Sequence, residues 1–352
     1  MKALVLSGGT GSRLRPFSHS LPKQLIPIAN QPVLEHVLES IRDTGVTDIG
    51  IVVGDRAPTI RKVIGDGSRL GVRVTYIPQN EPLGLGHCVV VSRSFLGDDD
   101  FVMYLGDNFL PDGIVPVARE FAARRPAAQV VLHKVTDPRQ FGLAELDEYG
   151  NVRRLVEKPE HPRSDLALVG VYFFTSAIHE AIARIEPSAR GELEITDAIQ
   201  WLLANGAEVR ATEYDGFWKD AGRPEDVLEC NRYQLAGLTT AIHGDVDEAS
   251  QLVGPVVLGP GARVLRSVIE GPAIIGANTL VADSHIGPNT AIGDDCQVRA
   301  THLADSIVLA GASISDVPGL HGSLIGRSAT IRPSGAEHRL VVGDDAWIEL
   351  AA

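Results

Sequence analysis

Three glycines, Gly8, Gly9 and Gly11, and two arginines, Arg13 and Arg15, fall in the stretch SGGTGSRLRP, directly after the apolar run Met1 to Leu6. A backbone without side chains lets N–H groups approach phosphate oxygens, and the arginines add positive charge. Lys23, in LPKQLIPI, supplies a further cation after a stretch short enough to fold back over a ligand. No Gly-Lys-Ser/Thr ending makes this a Walker P-loop, and Gly-Gly-x-Gly lacks the spacing of the dinucleotide fingerprint. Taken alone, a tight turn with surface arginines explains the stretch better. Asp107 changes that balance, because it ends a second apolar run, FVMYLGDN. Ligands of open α/β sheets collect at the carboxyl ends of parallel strands, so the glycine loop and Asp107 are expected to face one crevice.

These residues need a sheet to position them. Up to about Tyr233 short β-rich runs alternate with helical patterns, the signature of stacked βαβ units. Ala3–Leu6, Ile49–Val53, Val72–Ile77, Phe101–Leu105 and Gln129–Val135 read as strands. Pro32 suits a helix's first turn, and Val33, Leu34, Val37, Leu38 and Ile41 then recur at helical spacing. The fold class expected is α/β, a Rossmann-like doubly wound domain with a mixed, mostly parallel sheet. Past Gly237 the pattern changes to Gly, Pro and β-branched residues. LGPGAR, IGANTL, IGPNTA, IGDDCQ and IGRSAT share an aliphatic residue, then Gly, then a small residue at the fifth place. That template reads as hexapeptide repeats, the aliphatic residue pointing to a narrow axis and the glycine permitting each corner, and the family resemblance given below implies that they form a left-handed parallel β-helix. A small β-sandwich with Gly-rich turns is the plainer alternative. The expected division is residues 1–236, a linker at 237–252, and a β-helix with its tail at 253–352.

Composition bounds the partners. The 352 residues, 44% of them apolar, suffice for two cores, and the formal charge of −13 argues against a nucleic-acid surface. Cys88, Cys230 and Cys296 lie far apart with no Cys-x-x-Cys pair, which suggests neither a zinc site nor a disulfide framework. A reducing cytoplasm fits that cysteine usage, and no membrane span is expected, since no apolar run approaches the required length.

LSGGTGSRLRP…PKQLIPI, LGDN, VEKP, RGELEITDAI and WKDAG together resemble the sugar-nucleotide pyrophosphorylases, most closely the glucose-1-phosphate thymidylyltransferases in their long, actinobacterial form with an appended β-helix. The resemblance covers nearly the whole chain. It implies transfer of a nucleotidyl group from dTTP to glucose 1-phosphate, giving dTDP-glucose and pyrophosphate by direct in-line attack. It implies that Arg13 and Lys23 steady the triphosphate, and that Asp107 and Asp220 hold Mg²⁺; Ala221 stands where relatives often carry Thr. Leu6, Gly8, Gly9 and Gly11 match nucleotide positions. Gln24 and Gln79 match base-reading positions, where an amide can meet the imide edge of thymine or uracil, and Gly84 matches a glycine that lets base or sugar lie close. On the sugar side the matches are Asn108, Gly142, Glu157, Lys158, Val169 and Tyr172, with Arg190, Glu192 and Glu194 in support. Val156 stands where relatives frequently carry a second Glu. His87 falls at a position that varies, and no chemistry is assigned to it.

Three other readings keep some ground. UTP or another nucleotide could replace dTTP, because thymine differs from uracil by one methyl. The β-helix could add an acyltransferase using His285, His302, His321 or His338, although scattered histidines in such a domain are more often loop residues. A regulatory member of the family would be expected to lose some of Arg13, Lys23, Asp107 and Asp220, and all four are present. A homo-oligomer is expected, because stacked coils end in unpaired edges that another subunit can cover.

Overall fold

The strand Lys2–Ser7 is central to the first half of the chain because Ala3, Leu4 and Val5 are wholly buried and Leu6 nearly so, which only a strand covered on both faces allows. In a computed structural model describing residues 1–9, 11–333 and 345–349, the chain divides into two units. The first is Met1–Thr10 with Val33–Asp220, and the second is Gly11–Pro32 with Ala221–Ala352.

The first unit is built on a nine-stranded sheet. Lys2–Ser7 pairs in parallel with Asp48–Val53 on one side and Phe101–Leu105 on the other, and Asp48–Val53 pairs in parallel with Arg73–Pro78. These are four of the five strands expected from sequence, each shifted by a residue at most. The fifth, Ala128–Lys134, pairs with Leu166–Phe174 and with Val209–Glu213. Leu166–Phe174 runs antiparallel to Phe101–Leu105, Ala128–Lys134 and Gly142–Leu146, so the sheet is mixed. Its pairing with Ala128–Lys134 slips between Leu168 and Tyr172, around Gly170 at φ +77°. A Cβ on Gly170 would lie 2.7 Å from Leu105 Cδ1 and 3.2 Å from Asn108 Cγ. The bulge therefore makes room for the chain leaving Phe101–Leu105. The helix Val33–Arg42 buries Val33, Leu34, Val37, Leu38 and Ile41, the stripe read from sequence; Pro32 precedes it as the end of a two-residue strand.

In the second unit three parallel sheets stack coil upon coil, two of six strands and one of five. Hydrogen bonds between successive coils link residues 17 apart, as from Ser284 N to Ser267 Oγ and from Thr301 N to Ser284 Oγ. The aliphatic template positions Leu258, Ile275, Ile286 and Ile292 are wholly buried, as expected for residues that point to the axis. The glycine that follows does a different job from the one expected. The corner is made by the fourth template residue, left-handed at Gly261, Asn278, Asn289, Asp295 and Ser328 with φ between +55° and +71°. The second-position glycines are needed because coils pass so close: a Cβ on Gly276 would lie 2.4 Å from the carbonyl carbon of Gly293, and one on Gly259 would lie 2.6 Å from Ala277 N. Strands Ala241–Ile242, Asp245–Val246 and Gln251–Val253, within or overlapping the span read as a linker, already pair with the next coil.

Gly11–Pro32, though near the amino terminus, packs with this second unit. Its Pro27–Ile28 and Gln31–Pro32 strands form a hairpin whose two-residue turn, Ala29 and Asn30, is left-handed at both positions. The wholly buried Asn231, on the helix Pro224–Ala236, ties the turn down: its Oδ1 accepts from Ala29 N at 2.9 Å and its Nδ2 donates to Asn289 O at 3.1 Å. Asn30 Nδ2 donates to Ile292 O at 2.7 Å. Among the described residues no helix is long and apolar enough to cross a membrane.

A Gly276→Ala substitution sets a methyl group against backbone that cannot rotate away, so the second unit should lose on the order of 1–3 kcal/mol. Gly237→Ala, with nothing within 4 Å of the added carbon, should be near neutral. Denaturant unfolding followed for both variants checks the pair, and equal stability would show that the coils yield.

Candidate functional site

Adjacent parallel strands deliver the first two groups. Leu6 pairs with Leu105, and Gly106 N donates to Leu6 O at 2.9 Å, one residue before Asp107. Ser7 and Gly8 therefore leave one strand where Asp107 leaves its neighbour, both at carboxyl ends. Leu6 itself is part of the core, so only its backbone is available for a ligand, and the same holds for the fully buried Val169.

Asp107 and Asn108 are 7% and 4% exposed. Asn108 donates to Asp107 Oδ1 at 3.4 Å, and its own Oδ1 accepts from Trp218 Nε1 at 2.7 Å. The two-residue strand Asn108–Phe109 pairs antiparallel with Lys219–Asp220, in register Asp220 with Asn108. Two carboxylates more than a hundred residues apart in sequence are thereby brought to neighbouring positions. Hard oxygen donors of this kind suit a divalent cation such as Mg²⁺, which binds through few carboxylates and takes substrate oxygens and water for the rest. Among the described residues no group of three or more His, Cys, Asp or Glu is arranged to hold a metal, so an ion here would need oxygens from another ligand.

On the other side of Gly8 lies Gln79. A Cβ on Gly8 would come 3.2 Å from Gln79 Oε1, and Gln79 N donates to Val53 O at 2.8 Å. The amide nitrogen of Gln79 lies 3.4 Å from Gly84 O and 3.1 Å from His87 Nδ1. Sequence reasoning left His87 out; its contact with Gln79 depends on the turn between them, which no local pattern encodes. Burial pushes the neighbouring Cys88 thiol up to about 12.

Gly84 is left-handed at φ +96°, and a Cβ there would lie 2.7 Å from Leu193 O. Leu193 N donates to Leu83 O and Gly86 N donates to Leu193 O, both at 2.8 Å. The Leu83–Gly86 segment is thus clasped to the strip that carries Arg190, Glu192 and Glu194.

That strip builds the cluster around Glu157 that the resemblance assigns to the sugar side. Arg190 Nη2 donates to Glu194 Oε1 at 2.8 Å and to Glu157 Oε1 at 3.2 Å. Glu194, almost fully buried, also accepts from Ser188 Oγ at 2.7 Å, so its charge is hydrogen-bonded from two sides. Thr196 Oγ1 donates to the second oxygen of Glu157 at 3.2 Å. Glu157 pairs in register with Gly142, where a Cβ would come within 3.0 Å of Glu157 Oε2. Lys158 is left-handed at φ +37° immediately before Pro159, with its ammonium 3.5 Å from Glu157 Oε1. A residue before proline is ordinarily extended, so this backbone is strained. Tyr172 is 4% exposed, and burial followed by the charge of Glu157 pushes its phenol above the usual range. Burial and the charge of Glu194 likewise raise the Asp197 carboxyl. Alternate residues of the antiparallel strands Gly142–Leu146 and Val152–Glu157, namely Leu143, Glu145, Arg154 and Val156, line a separate cavity of about 200 Å³ on their opposite face.

Arg13, Lys23, Gln24 and Gly11 belong to the second unit. Arg13 is on the 3₁₀ turn Ser12–Leu14 and Lys23 on the turn Lys23–Leu25. A Cβ on Gly11 would touch Ser18 and Lys23 side chains at 3.2 and 3.3 Å, so the stretch does fold back on itself. Gln24 is 1% exposed, and its Oε1 has no hydrogen-bond partner among the described residues. Of the β-helix histidines, His285 lies 3.2 Å from Glu270 and stacks on His302 at 4.6 Å, while His321 lies 3.7 Å from Asp305. His338 falls outside the described residues.

The family model described as nucleotidyl transferase matches residues 2–237. The chain belongs to the nucleotidyl transferase family. Among its relatives, this nucleotidyl transferase is 53% identical to a glucose-1-phosphate thymidylyltransferase of Streptomyces griseus, over the whole of both chains. It is 52% identical to the glucose-1-phosphate thymidylyltransferase of Streptomyces antibioticus, over 99% of each. A Bacillus anthracis crystal structure described as a glucose-1-phosphate thymidylyltransferase, in complex with sucrose, superposes with a TM-score of 0.62 at 35% identity, covering 66% of this chain and 94% of that one.

Gly84→Ala adds a carbon that strikes backbone at a left-handed position, and both clasped segments must move. Turnover per nucleotide bound should fall on the order of 10²-fold, as for a displacement of about 1 Å. Steady-state kinetics beside a thermal melt checks this, and normal kcat/KM would show that the clasp does not hold the site.

Proposed function

We propose that this nucleotidyl transferase joins dTTP to glucose 1-phosphate, releasing pyrophosphate and forming dTDP-glucose. The observation that carries the reading is the pair of adjacent strand ends that sets the glycine loop beside Asp107, with Asp220 laid next to it by strand pairing. The full-length likeness to two thymidylyltransferases supports the choice of substrates.

In this reading an oxygen of the sugar phosphate attacks the α-phosphorus of dTTP, a new P–O bond forms, and the bond to the β-phosphate breaks in line. No side chain is consumed; the work is positioning and charge neutralisation. Backbone N–H groups at Gly8, Gly9 and Gly11 bind phosphate oxygens, and Arg13 and Lys23 neutralise the triphosphate and the departing pyrophosphate. Asp107 and Asp220 hold a Mg²⁺ ion, which when bound offsets phosphate charge. Gln24 and Gln79 meet the base. Glu157 accepts from sugar hydroxyls, Lys158 binds the sugar's phosphate, and the Arg190–Glu194 pair keeps Glu157 in place. Asn108, Gly142 and Tyr172 line the hexose.

Purified protein with dTTP, glucose 1-phosphate and Mg²⁺ should release pyrophosphate, and chelation should stop it. UTP should be used with kcat/KM lower by about tenfold, the order of one methyl in an apolar pocket. A panel of nucleotides and sugar phosphates, with the nucleotide sugar product identified by mass, checks both, and no turnover with dTTP would defeat the reading. Lys158→Ala should raise KM for glucose 1-phosphate by about tenfold or more while moving that for dTTP far less. Equal loss for the two substrates contradicts this division of labour.

A further inference from the structure

Gln79 has one acceptor and two amide hydrogens, and its surroundings decide which end faces the nucleotide. Gly84 O, 3.4 Å from the amide nitrogen, can only accept. The NH₂ group must therefore be the end turned toward Gly84. The second amide hydrogen points to His87 Nδ1 at 3.1 Å. That nitrogen accepts in the tautomer whose hydrogen sits on Nε2, which is the form this contact needs. The Cys88 thiol, pushed up to about 12 by burial, stays S–H and faces Gly84 O at 3.5 Å, while the Gln79 side chain also lies within hydrogen-bonding reach of it. Both amide hydrogens are thus engaged, and Oε1 is left turned toward Gly8 of the phosphate loop.

We propose that His87 is a positioning residue for base selection: by holding the NH₂ of Gln79, it presents a bare amide oxygen that accepts only from a pyrimidine carrying N3–H. Thymine and uracil carry that hydrogen. Cytosine has a lone pair at N3 and is repelled by the same oxygen. The inference rests on the reading that Gln79 meets the base. Without an acceptor at position 87 the amide loses one of the two bonds that fix its orientation, and a rotated amide would offer its NH₂ to cytosine N3. The selection concerns N3 alone, so it leaves the preference between dTTP and UTP, which turns on a methyl group, where it was.

The test compares kcat/KM for dTTP, UTP and dCTP, with glucose 1-phosphate and pyrophosphate release as readout, in the parent enzyme and in His87→Phe, His87→Asn and Gln79→Ala. Phe keeps a ring without an acceptor, whereas the Asn side-chain oxygen can take the place of Nδ1. In His87→Phe the dTTP:dCTP ratio should fall by about tenfold or more, the scale of one misdirected, partly buried hydrogen bond, with the dTTP:UTP ratio unchanged. His87→Asn should retain most of the discrimination. Each ratio is taken within one preparation, so loss of folded protein cancels. If Gln79→Ala loses discrimination and His87→Phe keeps it, the role of His87 is overturned while base reading by Gln79 stands. If Gln79→Ala keeps it, base reading by Gln79 is itself wrong. A His87→Phe enzyme that loses both ratios together shows general loosening and also overturns the proposal.

Discussion

The parallel pairing of Lys2–Ser7 with Phe101–Leu105 is the constraint from which the first unit's site follows. Parallel strands end on the same side of a sheet, so what leaves the one is delivered beside what leaves the other. Here the one continues into glycines and the other into Asp107, with the backbone bond from Gly106 to Leu6 extending the register to the last residue before the carboxylate. Because the strands are buried on both faces, a shift by one residue would exchange the faces and misfit every core side chain against its neighbours, and the register is correspondingly fixed. The bulge at Gly170 belongs to the same design: a residue with Cβ there would push into Leu105 and Asn108 and so displace the acidic turn.

The cations have a different support. Arg13 and Lys23 ride on an excursion that packs within the second unit, pinned where Asn231 bonds at once to the Ala29–Asn30 turn and to Asn289 in the coils. A fully buried amide bonded at both ends costs about 1–3 kcal/mol to leave unsatisfied, so this link is specific. The coils therefore act as a foundation for the Gly11–Pro32 excursion that carries Arg13 and Lys23. Their own stacking relies on glycines that leave room between coils and on hydroxyl bridges such as Ser267–Ser284–Thr301, each handing a hydrogen bond to the next turn.

Periodicity made the strands and the first helix legible in sequence, because burial on two faces or one leaves a pattern within ten residues. The coil template was legible for the same reason, yet the job of its glycine was not. A tight corner and a close approach of neighbouring backbones both select glycine, and only the coil-to-coil distances separate them. Asp107 showed itself as a strand-end carboxylate. Asp220 did not: nothing local marks it, and only the resemblance named it before strand pairing placed it beside Asn108. His87 was missed because its partner is reached through a left-handed turn at Gly84, whose cause lies more than a hundred residues away at Leu193.

That distant cause ties two segments of the first unit together. Leu193 holds Leu83 and Gly86 by backbone bonds while its neighbours Glu192 and Glu194 flank Arg190, which in turn reaches Glu157. Backbone-to-backbone clasps persist through sequence change around them, provided that Gly84 and Gly86 keep a bare backbone against Leu193. If Gln79 and His87 face the nucleotide and Glu157 and Lys158 the sugar, as proposed, either pair can be exchanged while the distance between them stays set. Reaction between two phosphates requires that distance to be held, since in-line attack tolerates little misalignment. A fold that fixes the separation through main chain and the selectivity through side chains can change what it joins without rebuilding how it joins them.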